Sequence, residues 1–510
     1  GANNEIVESF HIIESSLNEG SEERRITLLE KALEVILNGT YEKMLHYTHD
    51  LKSPITTVYM LGVILPVLGL VLFPLMSGFL AGLIKWWHLA ILYDVFLPVF
   101  VYLVGMQLLD KRPTGYGSDD ILDLYPEFKE YTKMNLLGVK ISPLFFSVIV
   151  GGFLMLIGLL PLILFYVSGG AYDVNILGFK LLDYKISGIG ESAKFLGPYG
   201  MWSMLLSLFF TLGLGFGIGV YYYFWSKDLI KIRNNTRKLE TEFSGAVFQL
   251  GNRIGDGIPV ESAFYRVSDS MRGTPTGDFL RIVDNNIRRL GMSVKQAIFD
   301  RERGGLTFFP SNLIKSTMKV LVESSKKGPM VVSKCLITIS DYVNRVRTVS
   351  ERLTDLLADI ISSMKSQISF LTPMIAGIVV GVTSMMINII NLLGVALGET
   401  SGLGGGFDET AGAGIGGLSN VLQILDIKDI IPGYQFQIVV GLFVVEIAII
   451  LTILSNGIEN GIDKITEKNR IAKNLFISVG LYFLISLASI LIFSVLASGV
   501  ANVGLAASGL

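Results

Sequence analysis

The sequence predicts an all-α, polytopic membrane protein of about seven transmembrane helices with cytoplasmic antiparallel helical bundles. Three observations lead there. Hydrophobic residues make up 51% of the 510 and charged residues 17%, with a mean hydropathy of +0.55, values outside the range of a soluble domain. Charge-poor intervals of the twenty or so residues needed to cross a hydrocarbon layer of roughly 30 Å recur along the chain. The polar stretches between them carry apolar residues at helical rather than alternating spacing.

Taken in order, the spans are 55–84, with Pro66 and Pro74 inside it; 89–109, interrupted by Asp94; 143–167; 201–225; 368–393; 434–454, which contains Glu446; and 475–496. Trp86, Trp87, Trp225 and Tyr434 stand at span ends, as an aromatic belt requires. Lys111, Arg112, Lys129, Lys133 and Lys140 collect after the second span, and Lys464, Lys468, Arg470 and Lys473 after the sixth. The positive-inside rule makes both connections cytoplasmic, with the N-terminus inside and the C-terminus outside. Residues 394–433 hold the tract GLGGGFDETAGAGIGG, an outer loop by composition. A nucleotide-cradling loop is the rival reading of that tract, disfavoured because no Gly-Lys-Ser/Thr follows and no strand precedes it.

The resulting division is 1–54, a helical cytoplasmic segment; 55–226, four spans; 227–367, a second cytoplasmic bundle; and 368–510, three spans with the Gly-rich loop. In the second bundle Leu239, Phe243, Val247, Leu250 and Ile254 mark one helix, and Phe279, Val283, Ile287 and Leu290 another. Pro259 opens a new helix after a glycine turn, and Ser293 with Gln296 has capping-box spacing. Val332, Leu336, Ile339, Val343, Val346, Leu353, Leu357, Ile360 and Met364 form a four-three seam broken at Ser350. The seam reads as one long helix running into the fifth span, and it packs either within its own bundle or against a second copy as a homodimer.

Part of the chain is written twice. Leu51, Lys52, Ser53 and Ile55 match Met364, Lys365, Ser366 and Ile368 at an offset of about 313 residues, and Glu14, Ser15 and Ser16 match Glu323, Ser324 and Ser325 at a slightly shorter one. Each copy stands before an apolar span, which reads as duplication of a helical unit feeding a span. The first copy lacks the polar front of the second, through truncation or natural reduction. Residue 1 is Gly rather than Met, which reads as a scar of processing or cloning, and no signal peptide is visible.

QLGNRIGDGIPVESAF, then IRRLGMSVKQAI, then a long helix entering a span, resembles the cytoplasmic domain of the type II secretion F family. Seven spans and an enlarged polar segment look more like its archaeal type IV pilus and archaellum platform members. The motif positions are Gly257, Pro259, Glu261, Ala263, Gly291, Ser293 and Ala297. The resemblance implies a protein of the cell membrane that performs no catalysis. It would couple a cytoplasmic hexameric secretion ATPase to extraction, assembly or rotation of pilin or archaellin subunits, with membrane lipid around it.

Residue chemistry agrees with a non-enzyme. No Walker motif, catalytic triad or metal-ligand spacing occurs. The lone Cys335 and four histidines suggest neither disulfide nor metal, and no cofactor is expected. Charge is segregated: residues 227–365 are net basic and residues 1–55 net acidic. Basic clusters stand at Arg288, Arg289 and Lys295; at Arg301 and Arg303; at Lys326 and Lys327; and at Arg345 and Arg347. They read either as a solvated face or as a docking surface for an acidic ATPase; nucleic acid is a poor fit because aromatics do not interleave with them. Asp94 and Glu446 are intramembrane acids, costly and functional by default. Glu446 either fixes packing, with Asn388 and Asn391 as available partners, or serves an ion-coupled transporter, the alternative class.

Overall fold

The computed structural model describes residues 4–73, 76, 85–111, 132–136, 139–168, 175–176, 179–187, 194–402, 431–461 and 463–507. The Gly-rich tract and most of the connection after the second span lie outside these residues. The described chain is helical apart from three two-stranded antiparallel ribbons: Met134–Leu136 with Val139–Ile141, Asn175–Ile176 with Phe179–Lys180, and Lys185–Ser187 with Lys194–Leu196.

Among the described residues, seven helical stretches are long and apolar enough to cross a membrane. The first is α2 (Glu22–Tyr59), prolonged by a π-helical segment π1 (Met60–Ile64) and α3 (Leu65–Gly69); α1 (Asn4–Leu17) precedes it. The second is α4 (Trp86–Ala90), π2 (Ile91–Phe96) and α5 (Leu97–Asp110). The third is α6 (Pro143–Ser168) and the fourth α7 (Met201–Gly255). Four short helices follow, α8 (Val260–Ser270), α9 (Pro275–Leu290), α10 (Val294–Phe299) and α11 (Gly305–Phe308), then α12 (Asn312–Ser324). The fifth stretch is α13 (Pro329–Ser366), π3 (Gln367–Leu371) and α14 (Thr372–Gly402). The last two are α15 (Gly433–Asn460) and α16 (Lys464–Ala507).

Two helices therefore leave the polar bundle and enter the apolar region without a turn. The run beginning at Pro329 is continuous through Ile390, 62 residues. The sequence reading ended the fourth span near Trp225, whereas α7 runs on into the bundle as far as Gly255, 55 residues in all, about 80 Å at 1.5 Å per residue. Nothing in the change from apolar to polar side chains interrupts backbone hydrogen bonding, so a composition boundary is not a helix end.

The hydrophobic core has two main bodies. Leu239, Phe243, Val247, Leu250 and Ile254 of α7 meet Ala263, Phe264, Phe279, Val283, Ile314, Met318, Val332 and Leu336 in the polar bundle. Leu353, Leu357, Ile360 and Met364 belong to the other body, with Leu51, Val63 and the buried face of α15. Val332, Leu336, Leu353, Leu357, Ile360 and Met364 of the α13 seam thus pack against other parts of the same chain. α15 is the most enclosed span, with Phe436, Val440, Phe443, Val444 and Ile447 fully buried. Glycines let neighbours approach it: a Cβ at Gly441 would lie 1.9 Å from Thr211 Oγ1, the close packing that small residues give membrane helices.

Candidate functional site: a basic face and an intramembrane acid pair

The basic face is built on α9. Thr274 caps the helix, its hydroxyl accepting from the Gly277 amide at 3.1 Å. Phe279, Leu280 and Val283 turn inward, which leaves Arg288 and Arg289 in the last turn, where cations complement the helix dipole. Gly291 ends the helix at φ 66°, a left-handed conformation that other residues adopt at a cost. Two residues on, Ser293 opens α10 through the expected capping box: its hydroxyl accepts from the Gln296 amide at 3.3 Å, and Gln296 Oε1 accepts from the Ser293 amide at 3.2 Å. Ala297 and Ile298 then face the core and Lys295 faces out.

The loop carrying Arg301 and Arg303 is fixed by residues the sequence reading did not single out. The Asp300 carboxylate accepts from the amides of Glu302 at 3.0 Å and Arg303 at 2.9 Å. Those bonds, Arg303's first, hold its carboxyl below the usual value. Asn286, buried in α9, donates to the carbonyls of Ala297 at 3.3 Å and Arg303 at 2.6 Å. A Cβ at Gly304 would lie 2.4 Å from the Asp300 carbonyl, so the turn closes only on glycine. Asn286 was detectable only through this geometry; for Asp300 the signal in sequence is an Asp two and three residues before the amides it accepts from.

Not all nine basic residues come together. Arg288 pairs with Asp284 at 2.8 Å and lies 4.4 Å above the Tyr265 ring, while Arg289, Lys295, Arg301 and Arg303 are exposed beside it. Lys326 pairs with Glu323 at 2.8 Å, and Glu323 also feels Lys295, so the Lys326–Lys327 turn adjoins this face. Arg347 instead donates to Glu351 and to the Thr241 carbonyl at 3.1 Å. It stands with Arg345 nearly twenty residues along α13 from that turn, about 28 Å away. The motif residues are architectural: Gly257 has φ 84°, Pro259 caps α8, Glu261 lies in its first turn, and Ala263 is buried.

In the apolar region Asp94 and Glu446, 352 residues apart in sequence, stand on two elements that pack against each other. Asp94 sits in π2 and Glu446 on α15, and the Tyr93 ring meets Phe443 edge-on at 5.9 Å. Asp94 Oδ1 and Glu446 Oε2 are buried without a hydrogen-bond partner among the described residues. The amide partner expected for Glu446 is not Asn388. Gly433 packs beside Ile387, and Glu446 lies thirteen residues further along α15, about 20 Å deeper. The side chain of Asn391 is outside the described residues.

A third cluster, absent from the sequence reading, closes the α15–α16 corner. Asp463 Oδ2 accepts from Arg233 Nε at 3.4 Å and Arg237 Nη2 at 3.1 Å, both on α7. Asp463 also caps α16 through the Thr466 amide at 3.1 Å and hydroxyl at 2.9 Å. Glu459 takes both guanidinium arms of Arg470 at 2.5 and 2.7 Å and lies 3.6 Å from Lys365 of α13. The two through-running helices are thereby tied to the same corner.

Among the described residues no group of three or more His, Cys, Asp or Glu could hold a metal ion. Comparison with protein-family models, curated proteins and solved structures returned no match.

Proposed function

We propose that this chain is the non-enzymatic membrane platform of a type IV pilus-like or archaellum assembly machine. It couples a cytoplasmic hexameric ATPase to extraction, assembly or rotation of pilin or archaellin subunits. The observation that carries the reading is mechanical. α7 and the α13–α14 run each join the polar bundle to the apolar region as one helix, and a hydrogen-bonded loop holds part of the bundle's basic face in fixed register. A preorganised charged face loses little entropy on docking, and a continuous helix passes displacement along its axis. The lysine and arginine asymmetry of the connections favours a cytoplasmic bundle and N-terminus and an outer C-terminus.

The experiment is complementation in the source cell. Deleting the gene removes the filaments, and the wild-type chain restores them. A variant with Arg289, Arg301 and Arg303 changed to Glu accumulates in the membrane yet leaves cells bare. Filaments assembled by that variant would refute the docking role. A second reading, an ion-coupled transporter, draws on the acid pair of Asp94 and Glu446. Its test is ion flux into proteoliposomes of the purified chain, which the platform reading expects to match empty vesicles.

A further inference from the structure

Among the described residues three spans contain a π-helical segment, and each segment ends two residues before a proline: π1 before Pro66, π2 before Pro98 and π3 before Pro373. Proline removes an amide and crowds the carbonyl four residues back, and a wider turn relieves both. Proline alone is an insufficient cause, because Pro54 and Pro161 sit inside regular α-helix. The three bulges are also bonded to one another. Tyr59, the residue before π1, shares a 3.2 Å hydrogen bond with Thr372, the residue after π3. Tyr93, inside π2, donates to the carbonyl of Pro66 at 2.9 Å and packs edge-on against Phe73 and Phe443, each at 5.9 Å. Tyr59 and Thr372 are 313 residues apart, the interval of the sequence repeat. Contact between matching positions is what a two-fold relation between two copies produces. By contrast α7 runs 55 residues with neither proline nor π turn.

We propose that the three bulges form one linked hinge, so that the parts of spans one and five after their bulges, and the part of span two before its own, re-angle together against α7 as a fixed strut. The tyrosine hydrogen bonds make the coupling. Bending at π3 carries Thr372 and pulls Tyr59 with it; Pro66 then displaces Tyr93. The device stands independently of what the polar bundle docks, since it lies wholly in the spans.

Spin labels at Leu72→Cys and Tyr166→Cys in a Cys335→Ser background report it by double electron–electron resonance. Both positions are exposed, and Leu72 lies eight residues beyond π1, so removing a kink of about 20° shifts the distance by about 4 Å. Pro66→Ala, in the labelled helix, produces this shift. Pro373→Ala, in a different helix, produces a comparable one, and adding Tyr59→Phe abolishes the response to Pro373→Ala. An unchanged distance in Pro66→Ala shows that the bulges are rigid. An unchanged distance in Pro373→Ala, or a shift that survives Tyr59→Phe, shows that they are not linked; each of these overturns the proposal. Hydrogen exchange supplies a readout that needs no proline variant. Tyr59→Phe alone raises exchange at 60–64 and 367–371 together by about fivefold, the change one net hydrogen bond makes in an equilibrium. Acceleration at one segment only, or at neither, refutes the linkage.

Discussion

Replacing Asp463 with alanine removes an acceptor shared by Arg233 and Arg237 and the cap of α16 at once. The Arg233 and Asp463 side chains are 7% and 5% exposed, so the guanidinium is left in low dielectric without a counterion. Breaking a buried pair from one side costs about 3–5 kcal/mol, and losing an N-cap about 1 more. The matched control is Asp278→Ala, whose partner Arg281 is closer, at 2.6 Å, but whose side chains are 67% and 50% exposed. That loss is about 1 kcal/mol at most. Reversible unfolding of the purified chain in mixed micelles, titrated with a denaturing detergent, measures both. The expected ranking is a loss at Asp463 at least threefold larger than at Asp278, despite the longer contacts. Adding Arg233→Met to Asp463→Ala returns part of the loss, because the orphaned charge goes with it. Equal losses at the two positions, or no recovery in the double variant, would refute the claim that burial decides the strength of this corner.

Other outcomes follow from the same geometry. Glu446→Gln and Asp94→Asn, made singly, leave insertion and stability intact, since each removes one of two neighbouring acids whose buried oxygens lack partners; a lower unfolding midpoint in either contradicts this. Cysteines at Trp86 and Tyr166 react with an impermeant maleimide from one face of sealed vesicles and a cysteine at Lys319 only from the other; labelling of all three from one face defeats the seven-span arrangement. Asp300 and Glu323 have carboxyls held below their ordinary values, by the Arg303 amide and by Lys326 respectively. Their contribution to the basic face is whole above those values and is lost only as pH falls further. Partner binding is therefore flat from pH 7 to pH 5, and a decline centred near pH 6 would point to a histidine instead.

The seven spans were legible because the bilayer demands charge-poor intervals of fixed length, and the described residues hold seven helical stretches of that kind. The Ser293–Gln296 capping box and the glycine ends of helices were legible because caps are local. Long-range pairings were not. Asp94 and Glu446 look like isolated oddities until π2 is laid beside α15, and Asp463 looks like one more interfacial acid until α7 brings two arginines to it. Asn286 and Asp300 escaped notice because the residues they hold, Arg301 and Arg303, are the ones that carry the charge. The continuity of α7 was missed for a different reason: composition changes at residue 226, while hydrogen bonding does not.

The central claim, that the basic face docks an acidic hexameric ATPase, is tested most directly by the affinity of the purified, nanodisc-embedded chain for that ATPase. Arg289, Lys295, Arg301 and Arg303 are changed together to Glu, with Arg288 left to its contacts with Asp284 and Tyr265. Like charges across an interface cost several kcal/mol, so the account predicts a loss of at least about a hundredfold. It also predicts progressive weakening of the wild-type complex as salt shortens the Debye length from about 10 Å at 0.1 M toward 3 Å at 1 M. Unchanged affinity in the reversed variant, together with salt-independent binding by the wild type, would contradict it.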